Sequence, residues 1–221
     1  MISEAIQQIK LELPQSVELV AVSKFHPRDA IMEAYNAGQR LFGENRPQEL
    51  AQKAPFLPKD IKWHFLGHLQ KNKIKLVVPN AYLIQSIDTE DLLWAVDRYA
   101  AANNIKTHCL LEVYIASEES KQGFSPEEIL VLLEKLRKTP TASTTICGLM
   151  GMASFTSDTE QIRGEFKRIA ELYKNIKASY SELLPQFNTL SIGMSSDYKI
   201  AIEEGSTMVR IGTSIFGPRQ Y

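Results

Sequence analysis

VELVAVSKFHPRDAIMEAYNAG, residues 17–38, contains the structural unit from which the rest of the fold can be predicted. Its first part is short, apolar and rich in β-branched residues, which predicts a buried strand over residues 17–23. After Pro27, apolar residues recur at helical spacing as far as Gly38, which predicts an amphipathic helix. One strand followed by one helix is the building unit of parallel α/β proteins.

The same unit is repeated along the rest of the chain. Apolar runs that alternate with longer amphipathic segments predict seven further strands at residues 40–43, 63–67, 82–87, 108–115, 145–153, 189–194 and 207–211. One intervening helix has a clear start signal, because Ser125 is a typical N-cap and is followed by Pro126 and by Glu128 at the third helical position. A long helix with an apolar face is predicted after Ser157.

Eight strand–helix units in 221 residues favour one closed (β/α)8 TIM barrel. The alternative architecture is a doubly wound open sheet, which normally has a glycine-rich dinucleotide-binding turn after its first strand. This sequence has no such turn. It also has no linker, low-complexity tract or shift in composition, so we expect a single domain over residues 1–221.

The charge balance argues against nucleic-acid and membrane partners. The sequence has 25 Lys and Arg residues against 26 Asp and Glu residues, and a formal net charge of −1. Ile2, Ile6 and Ile9 recur at helical spacing among charged residues, which predicts an amphipathic helix rather than a secretory signal. The two cysteines, Cys109 and Cys147, lie in apolar runs and match no metal motif. We therefore expect a cytoplasmic protein that acts on a small molecule.

Lys24 is the first candidate functional residue. In (β/α)8 barrels, functional residues lie at the carboxyl ends of the strands, and Lys24 follows the apolar run of residues 19–22. An unpaired ammonium group is costly to bury, and desolvation lowers the pKa of a lysine so that its amine can attack a carbonyl carbon. The alternative is a lysine that extends from the strand end into solvent, and spacing alone does not decide between the two.

The segments at the end of the chain indicate a phosphate site. Ser195 and Ser196 stand at the start of a predicted helix, and Gly212 and Thr213 begin a small turn rich in hydroxyl groups. Barrels often bind phosphate after strands seven and eight, although each segment alone could be an ordinary helix cap or turn. Arg210 cannot lose its charge and needs a partner, either a carboxylate or a ring nitrogen of a ligand. Together with the lysine, these groups indicate pyridoxal 5′-phosphate as the cofactor.

Two other clusters have ordinary interpretations. His64 and His68 have the i, i+4 spacing of a zinc motif, but they flank Gly67 at a predicted strand end with no carboxylate ligand nearby. We therefore expect no metal site. The lysines within residues 71–75 are more typical of a solvated helix face than of a nucleic-acid patch.

Seven ordered motifs are spread over essentially the whole chain. They are AVSK (21–24), FGEN (42–45), WHFLGHLQKNK (63–73), QSID (85–88), GLMGM (148–152), GMSSD (193–197) and VRIGTSIFG (209–217). With these motifs the chain closely resembles the family of small pyridoxal phosphate homeostasis proteins. That family shares its fold with the N-terminal barrel domain of alanine racemases.

The resemblance implies roles for four residues around the cofactor ring. Lys24 would hold the cofactor as a Schiff base, and Arg210 would face the pyridine nitrogen. Asn45 would lie near the ring. Lys121 would be a secondary binding site for the aldehyde, with an ordinary solvated loop lysine as the alternative.

The resemblance also implies the residues that bind the phosphate group. Ser195, Gly212 and Thr213 would hold the phosphate directly. Ser196 and Met194 would lie close to it.

Three functions remain open at this point. The resemblance favours a protein that binds, buffers or delivers pyridoxal phosphate in vitamin-B6 homeostasis, possesses no robust catalytic activity and serves apo-enzymes that require the cofactor. A racemase-like enzyme with weak activity would need bases on both faces of the cofactor, and no tyrosine of this sequence can be assigned as the second base. A class I aldolase would also use a lysine beside a phosphate site. We expect a monomer with neither nucleic-acid nor membrane partners.

Overall fold

The computed structural model describes residues 1–116 and 122–217. Its strands are β1 (Glu18–Val22), β2 (Leu41–Glu44), β3 (Lys62–Phe65), β4 (Leu83–Ile87), β5 (Thr107–Val113), β6 (Thr144–Gly151), β7 (Thr189–Met194) and β8 (Met208–Ile211). Its helices are α1 (Ile2–Glu12), α2 (Arg28–Asn36), α3 (Pro47–Lys53), α4 (Ile74–Val77), α5 (Glu90–Ala102), α6 (Pro126–Lys138), α7 (Thr159–Ser179), α8 (Tyr198–Glu203) and α9 (Thr213–Phe216).

The eight strands form one closed parallel barrel in chain order. Strands β1 and β8 close it, with Glu18 paired to Met208 and Ala21 paired to Ile211. The prediction of a (β/α)8 barrel is confirmed, and each predicted strand end lies within two residues of the observed one. Closure aligns the carboxyl ends of all eight strands at one mouth of the barrel.

Local capping signals set where the helices begin. Helix α6 has the predicted capping box: the Ser125 hydroxyl accepts from the Glu128 N–H at 3.2 Å, and the Glu128 carboxylate accepts from the Ser125 N–H at 2.8 Å. Helix α7 is capped by Asp158, whose carboxylate accepts from the N–H groups of Glu160 and Gln161. In the described residues, no helix is both long enough and apolar enough to cross a membrane.

The sheet divides the hydrophobic core into two parts. The larger part lies between the sheet and the helices, where residues such as Ile31 of α2 and Phe166 of α7 are fully buried. The smaller part fills the barrel and consists of Val20, Leu83, Leu110, Cys147, Met150 and Met208. Because side chains alternate along a strand, the residue two positions further toward the mouth also faces inward. On β4, β5 and β8 that residue is polar, namely Gln85, Glu112 and Arg210.

Gly148 lies where strands β6 and β7 approach each other closely. Strand β6 has an irregularity at this point, since Cys109 of β5 pairs with Ile146 while the next residue of β5 pairs with Gly148. A Cβ atom on Gly148 would overlap the carbonyl oxygen of Thr189 on β7. A backbone atom cannot move away as a flexible side chain would, so only glycine can occupy this position without separating β6 from β7.

We expect Gly148→Ala to lower the free energy of unfolding by ~3 kcal/mol or more, because the added methyl group must displace the main chain of β7. Chemical denaturation of the two proteins measures the difference. Gly164→Ala is the matched control: Gly164 lies within α7 with open space around it, so the same change should stabilise the protein by about 0.5–1 kcal/mol. Equal effects of both substitutions would contradict a steric role for Gly148.

Candidate functional site

The structure places all eight predicted site residues at or near the carboxyl ends of strands. Lys24 and Asn45 are half-buried and follow β1 and β2. The other six belong to the ends of β7 and β8 and the segments after them: Met194, Ser195, Ser196, Arg210, Gly212 and Thr213. Since β8 pairs with both β1 and β7, the lysine and the predicted phosphate segments are on neighbouring strands at one mouth.

The segments after β7 and β8 are in direct contact. The Gly212 N–H donates to the Ser195 hydroxyl oxygen at 3.3 Å. Gly212 also lies against β1, because a Cβ atom there would be 3.2 Å from the Val22 carbonyl oxygen. In the described part of the chain, the N–H groups of Thr213 and Ser214 have no hydrogen-bond acceptor, as is usual in the first turn of a helix. Hydroxyl and N–H donors are therefore grouped beside the strand that leads to Lys24.

The predicted helix start at Ser195 and Ser196 is wrong by two to three residues. Helix α8 begins at Tyr198, and the two serines belong to the turn before it. Asp197 closes this turn: its carboxylate accepts from the Met194 N–H at 2.6 Å, and its own N–H donates to the Met194 carbonyl at 3.1 Å. The turn leaves Ser196 exposed and Ser195 half-buried near the mouth.

Arg210 is a buried cation inside the barrel, with 5% of its surface exposed. Its Nη1 donates to the Ser191 carbonyl and hydroxyl oxygens, each at 2.7 Å, and its Nη2 donates to the Gly151 carbonyl at 3.0 Å. Burial lowers the pKa of Arg210 to about 10, while the carboxylates of Glu112 and Asp197 oppose that shift. The guanidinium therefore remains charged at neutral pH.

A buried ionic network lies directly beside Lys24, and the sequence analysis did not assign it. Glu44 is fully buried, and its Oε1 accepts from the Ser23 hydroxyl at 2.7 Å and from Lys53 Nζ at 2.8 Å. Lys53 also donates to the Ser23 carbonyl at 3.1 Å and to Glu49 at 3.0 Å. Burial raises the pKa of Glu44 to about 7, although the Lys53 ammonium group favours its ionised form. The sequence feature that could have revealed this network is the position of Glu44 at the end of an apolar strand, where a charged side chain is costly to bury.

The turn that contains Lys24 has a strained backbone. Phe25 has φ = 68°, a left-handed conformation that is unfavourable for a bulky side chain. Its N–H donates to Glu49 Oε2 at 2.9 Å, and the Arg46 guanidinium lies 4.4 Å from the centre of its ring. These contacts and the network of Ser23 hold the backbone on both sides of Lys24.

The wall of the mouth formed by β3, β4 and β5 is acidic. Burial and the neighbouring Asp88 carboxylate raise the pKa of Glu112 to about 7. Asp88 lies 2.9 Å from His68 Nδ1, and Gln122 Nε2 lies 3.5 Å from both His68 and Glu112. Lys121, the predicted secondary site, lies outside the described residues. Within those residues, no group of three or more His, Cys, Asp or Glu side chains could hold a metal ion.

Comparison with known proteins agrees with this architecture. A family model for the alanine racemase N-terminal domain matches residues 2–220. A relative from Aquifex aeolicus is 39% identical over 205 residues, covering 92% of this chain and 88% of its own length. A human relative is 36% identical over 238 residues, covering 100% of this chain and 85% of its own length. Both relatives are named pyridoxal phosphate homeostasis protein.

The chain belongs to the pyridoxal phosphate homeostasis protein family. The family that the sequence motifs predicted is therefore confirmed. Two structures of one further relative, PipY from Synechococcus elongatus PCC7942, have been solved without and with pyridoxal phosphate. They superpose on this chain with TM-scores of 0.92 and 0.88 at 36% and 35% identity, and each comparison covers 98% of this chain and 100% of PipY.

Alanine racemases share the fold at low sequence identity. The enzyme from E. faecalis superposes with a TM-score of 0.73 at 18% identity, covering 98% of this chain and 57% of the racemase. This likeness confirms the predicted alanine racemase N-terminal-domain type of barrel.

The buried Glu44 makes stability depend on pH. The pKa of Glu44 rises from an ordinary value near 4.5 to about 7 on folding, so the folded protein keeps a proton that the unfolded chain has already released. The contribution of Glu44 to the free energy of unfolding therefore falls as pH rises through this window. We expect Glu44→Gln, which cannot ionise, to gain on the order of 2 kcal/mol relative to wild type between pH 5 and pH 8, measured by denaturation.

Glu127→Gln is the control for this measurement. Glu127 is exposed in the first turn of α6, and hydrogen bonds from its own backbone N–H and from Ser125 hold its pKa below the ordinary value. Glu127 is then largely ionised in both states above pH 5, and its replacement should not change the slope. Parallel wild-type and Glu44→Gln profiles between pH 5 and pH 8 would contradict a raised pKa for Glu44.

Proposed function

We propose that this chain binds pyridoxal 5′-phosphate at the barrel mouth, holds it covalently on Lys24, and serves in the homeostasis of that cofactor. The observation that carries the proposal is the grouping of an amine, a guanidinium and a set of phosphate-type hydrogen-bond donors on neighbouring strands. Strand β1 leads to Lys24, β8 contains Arg210, and the Ser195–Gly212 contact joins the segments after β7 and β8. Membership of the family and the pyridoxal-phosphate-bound PipY structure support the same conclusion.

The phosphate group fits the donors after β7 and β8. Phosphate oxygens accept hydrogen bonds, and the Ser195 hydroxyl with the N–H groups of Thr213 and Ser214 offers donors of two kinds, while the Gly212 N–H holds the Ser195 hydroxyl in place. Gly212 packs against Val22 without a side chain, which allows a ligand to approach the backbone. Thr213 and Ser196 are exposed and add hydroxyl groups at the edge.

Arg210 is suited to a ring nitrogen. Bound pyridoxal phosphate supplies an aldehyde that reacts with amines and a pyridine ring that withdraws electrons. A guanidinium has donors only, so Arg210 offers N–H groups to that nitrogen and leaves it without a proton of its own. Ser191 and Gly151 fix the orientation of the guanidinium before any ligand arrives.

Lys24 is suited to covalent attachment. Its neutral amine would add to the aldehyde carbon, and one water molecule would leave as the Schiff base forms. The strained turn at Phe25 and the network of Glu44 and Lys53 hold the backbone on either side of this lysine. Asn45 follows β2, the strand next to β1, and is proposed to lie beside the ring.

The proposal favours binding and delivery over catalysis because both named relatives are homeostasis proteins. Racemase-like and aldolase-like activities would use the same lysine and phosphate donors, so assays with amino acids and phosphorylated sugars distinguish them. We further propose that the protein acts in the cytoplasm as a single-domain monomer and passes its cofactor to apo-enzymes that require it. Transfer of the cofactor from purified protein to an apo-enzyme tests that role.

We expect Lys24→Ala to remove covalent attachment of the cofactor and leave the fold intact, since Lys24 supplies the amine. The measurement is the absorption spectrum of protein incubated with pyridoxal phosphate, before and after borohydride, followed by mass mapping of the labelled peptide. Lys59→Ala is the control, because Lys59 is exposed and precedes the amino end of β3, at the end of the barrel opposite the mouth. Persistent labelling of Lys24→Ala would move the attachment to another lysine, and Lys121 would be tested first.

We expect Ser195→Ala to weaken binding of pyridoxal phosphate about tenfold, because one hydrogen bond to a charged oxygen contributes about 1.5 kcal/mol. Binding of pyridoxal, which lacks the phosphate group, should not change. Titration of both ligands by absorbance measures the two affinities, with Ser181→Ala in the exposed segment after α7 as the control variant. An equal loss for both ligands would remove Ser195 from the phosphate site.

A further inference from the structure

A chain of hydrogen bonds crosses the inside of the barrel from Arg210 to His64. Arg210 Nη1 donates to Ser191 Oγ at 2.7 Å, and Ser191 Oγ lies 2.7 Å from Gln85 Oε1. Gln85 Nε2 lies 2.8 Å from His64 Nδ1 and 3.2 Å from Met208 Sδ. Ser191, Gln85 and His64 are completely buried. His64 and Gln85 belong to two of the sequence motifs and Ser191 to none, and neither the phosphate site nor the lysine site accounts for the three residues.

The arginine determines the direction of every bond in this chain. A guanidinium can only donate, so Ser191 Oγ must accept from Arg210 and use its own proton for Gln85. Gln85 then presents its carbonyl oxygen to Ser191 and its amide N–H groups to His64 and Met208. The thioether of Met208 can only accept, which requires the same orientation of the amide.

The last bond fixes the tautomer of His64. Since Gln85 donates to Nδ1, that nitrogen carries no proton, and the proton of the neutral ring lies on Nε2. Burial, with a smaller contribution from Lys62, lowers the pKa of His64 to about 3, so the ring stays neutral at physiological pH. Among the described residues, Nε2 has no hydrogen-bond partner. His64 is thus held in the tautomer with its proton on Nε2, although the described residues offer no acceptor for that N–H group.

The surroundings make this chain rigid. The chain borders an apolar layer of the barrel interior, and a buried polar group that loses its partner there costs about 1–3 kcal/mol. Turning the Gln85 amide would place an N–H group against Ser191, leave the hydroxyl proton without its acceptor, and place a carbonyl oxygen against the unprotonated Nδ1. The amide, the hydroxyl and the imidazole can therefore only change together.

We propose that Ser191, Gln85 and His64 are positioning residues that hold the Arg210 guanidinium in one orientation at the mouth of the barrel. The inference rests on the proposed function to the extent that Arg210 faces the pyridine nitrogen. The three residues do not touch the ligand. They determine which N–H groups of the arginine point toward the ring and which are used inside the protein.

The first test uses Gln85→Met, which keeps the volume of the side chain and removes its three hydrogen bonds, to Ser191, His64 and Met208. Labelling of Lys24 by borohydride should persist, whereas cofactor affinity should fall about tenfold and the absorption maximum of bound cofactor should shift. Leu83→Met is the matched control, because Leu83 lies two residues earlier on β4 and faces the same interior. An unchanged affinity and spectrum in Gln85→Met would overturn the positioning role.

The second test needs no cofactor. Nitrogen-15 NMR of the four histidines, with the His64 signal assigned through His64→Gln, should show a neutral ring with its proton on Nε2. Ser191→Ala combined with Met208→Leu removes both contacts that orient the Gln85 amide and should abolish this single tautomer. A proton on Nδ1 in the wild type, or an unchanged tautomer in this double variant, would overturn the inference. Failure of the proposed function would appear separately, as absence of labelling at Lys24 in the wild-type protein.

Discussion

A permanent positive charge inside a closed barrel is the constraint on which the rest of this structure depends. Arg210 cannot lose its proton to escape burial as a lysine could, and so its donors must all be directed at acceptors or at a ligand. Two carbonyl groups and one hydroxyl group satisfy the inner side of the guanidinium. The carboxylates of Glu112 on β5 and Asp197 after β7 supply negative charge that favours the charged guanidinium. These partners lie on β5, β6 and β7 or just after β7. They can therefore contact Arg210 on β8 only when the barrel closes in the observed register.

Closure by β1 and β8 brings this charge close to Lys24, the proposed attachment site. Val20 of β1 pairs with Arg210 across that junction, and Lys24 lies four residues after Val20, just beyond the end of β1. Gly212 packs against Val22 on the same pair of strands. A shift of register between β1 and β8 would therefore separate the lysine, the arginine and the phosphate donors together. The proposed site depends on the global topology more than on any local loop.

Short apolar runs that alternate with amphipathic segments sufficed to predict the eight strands, and motifs at strand ends indicated Lys24, Arg210 and the serine and glycine segments. The helix start near Ser196 was misplaced because Asp197 caps the preceding turn with its own carboxylate. The buried polar chain could not be predicted, since Ser191 and Gln85 are 106 residues apart in sequence. Glu44 could have been noticed as a charge at the end of an apolar strand, but its partner Lys53 lies on an amphipathic helix and resembles a solvent-exposed lysine.

Along three strands, the inward-facing side chains change from apolar to polar in one step of two residues toward the mouth. Leu83 is followed by Gln85 on β4, Leu110 by Glu112 on β5, and Met208 by Arg210 on β8. The apolar level supplies burial, and in the level above it Gln85 and Arg210 are already hydrogen-bonded to protein groups. Because these bonds form before a ligand binds, little reorganisation would be needed for a cofactor ring to bind at Arg210 as proposed. Such preorganisation favours tight retention of a cofactor, which is what a protein that buffers pyridoxal phosphate requires.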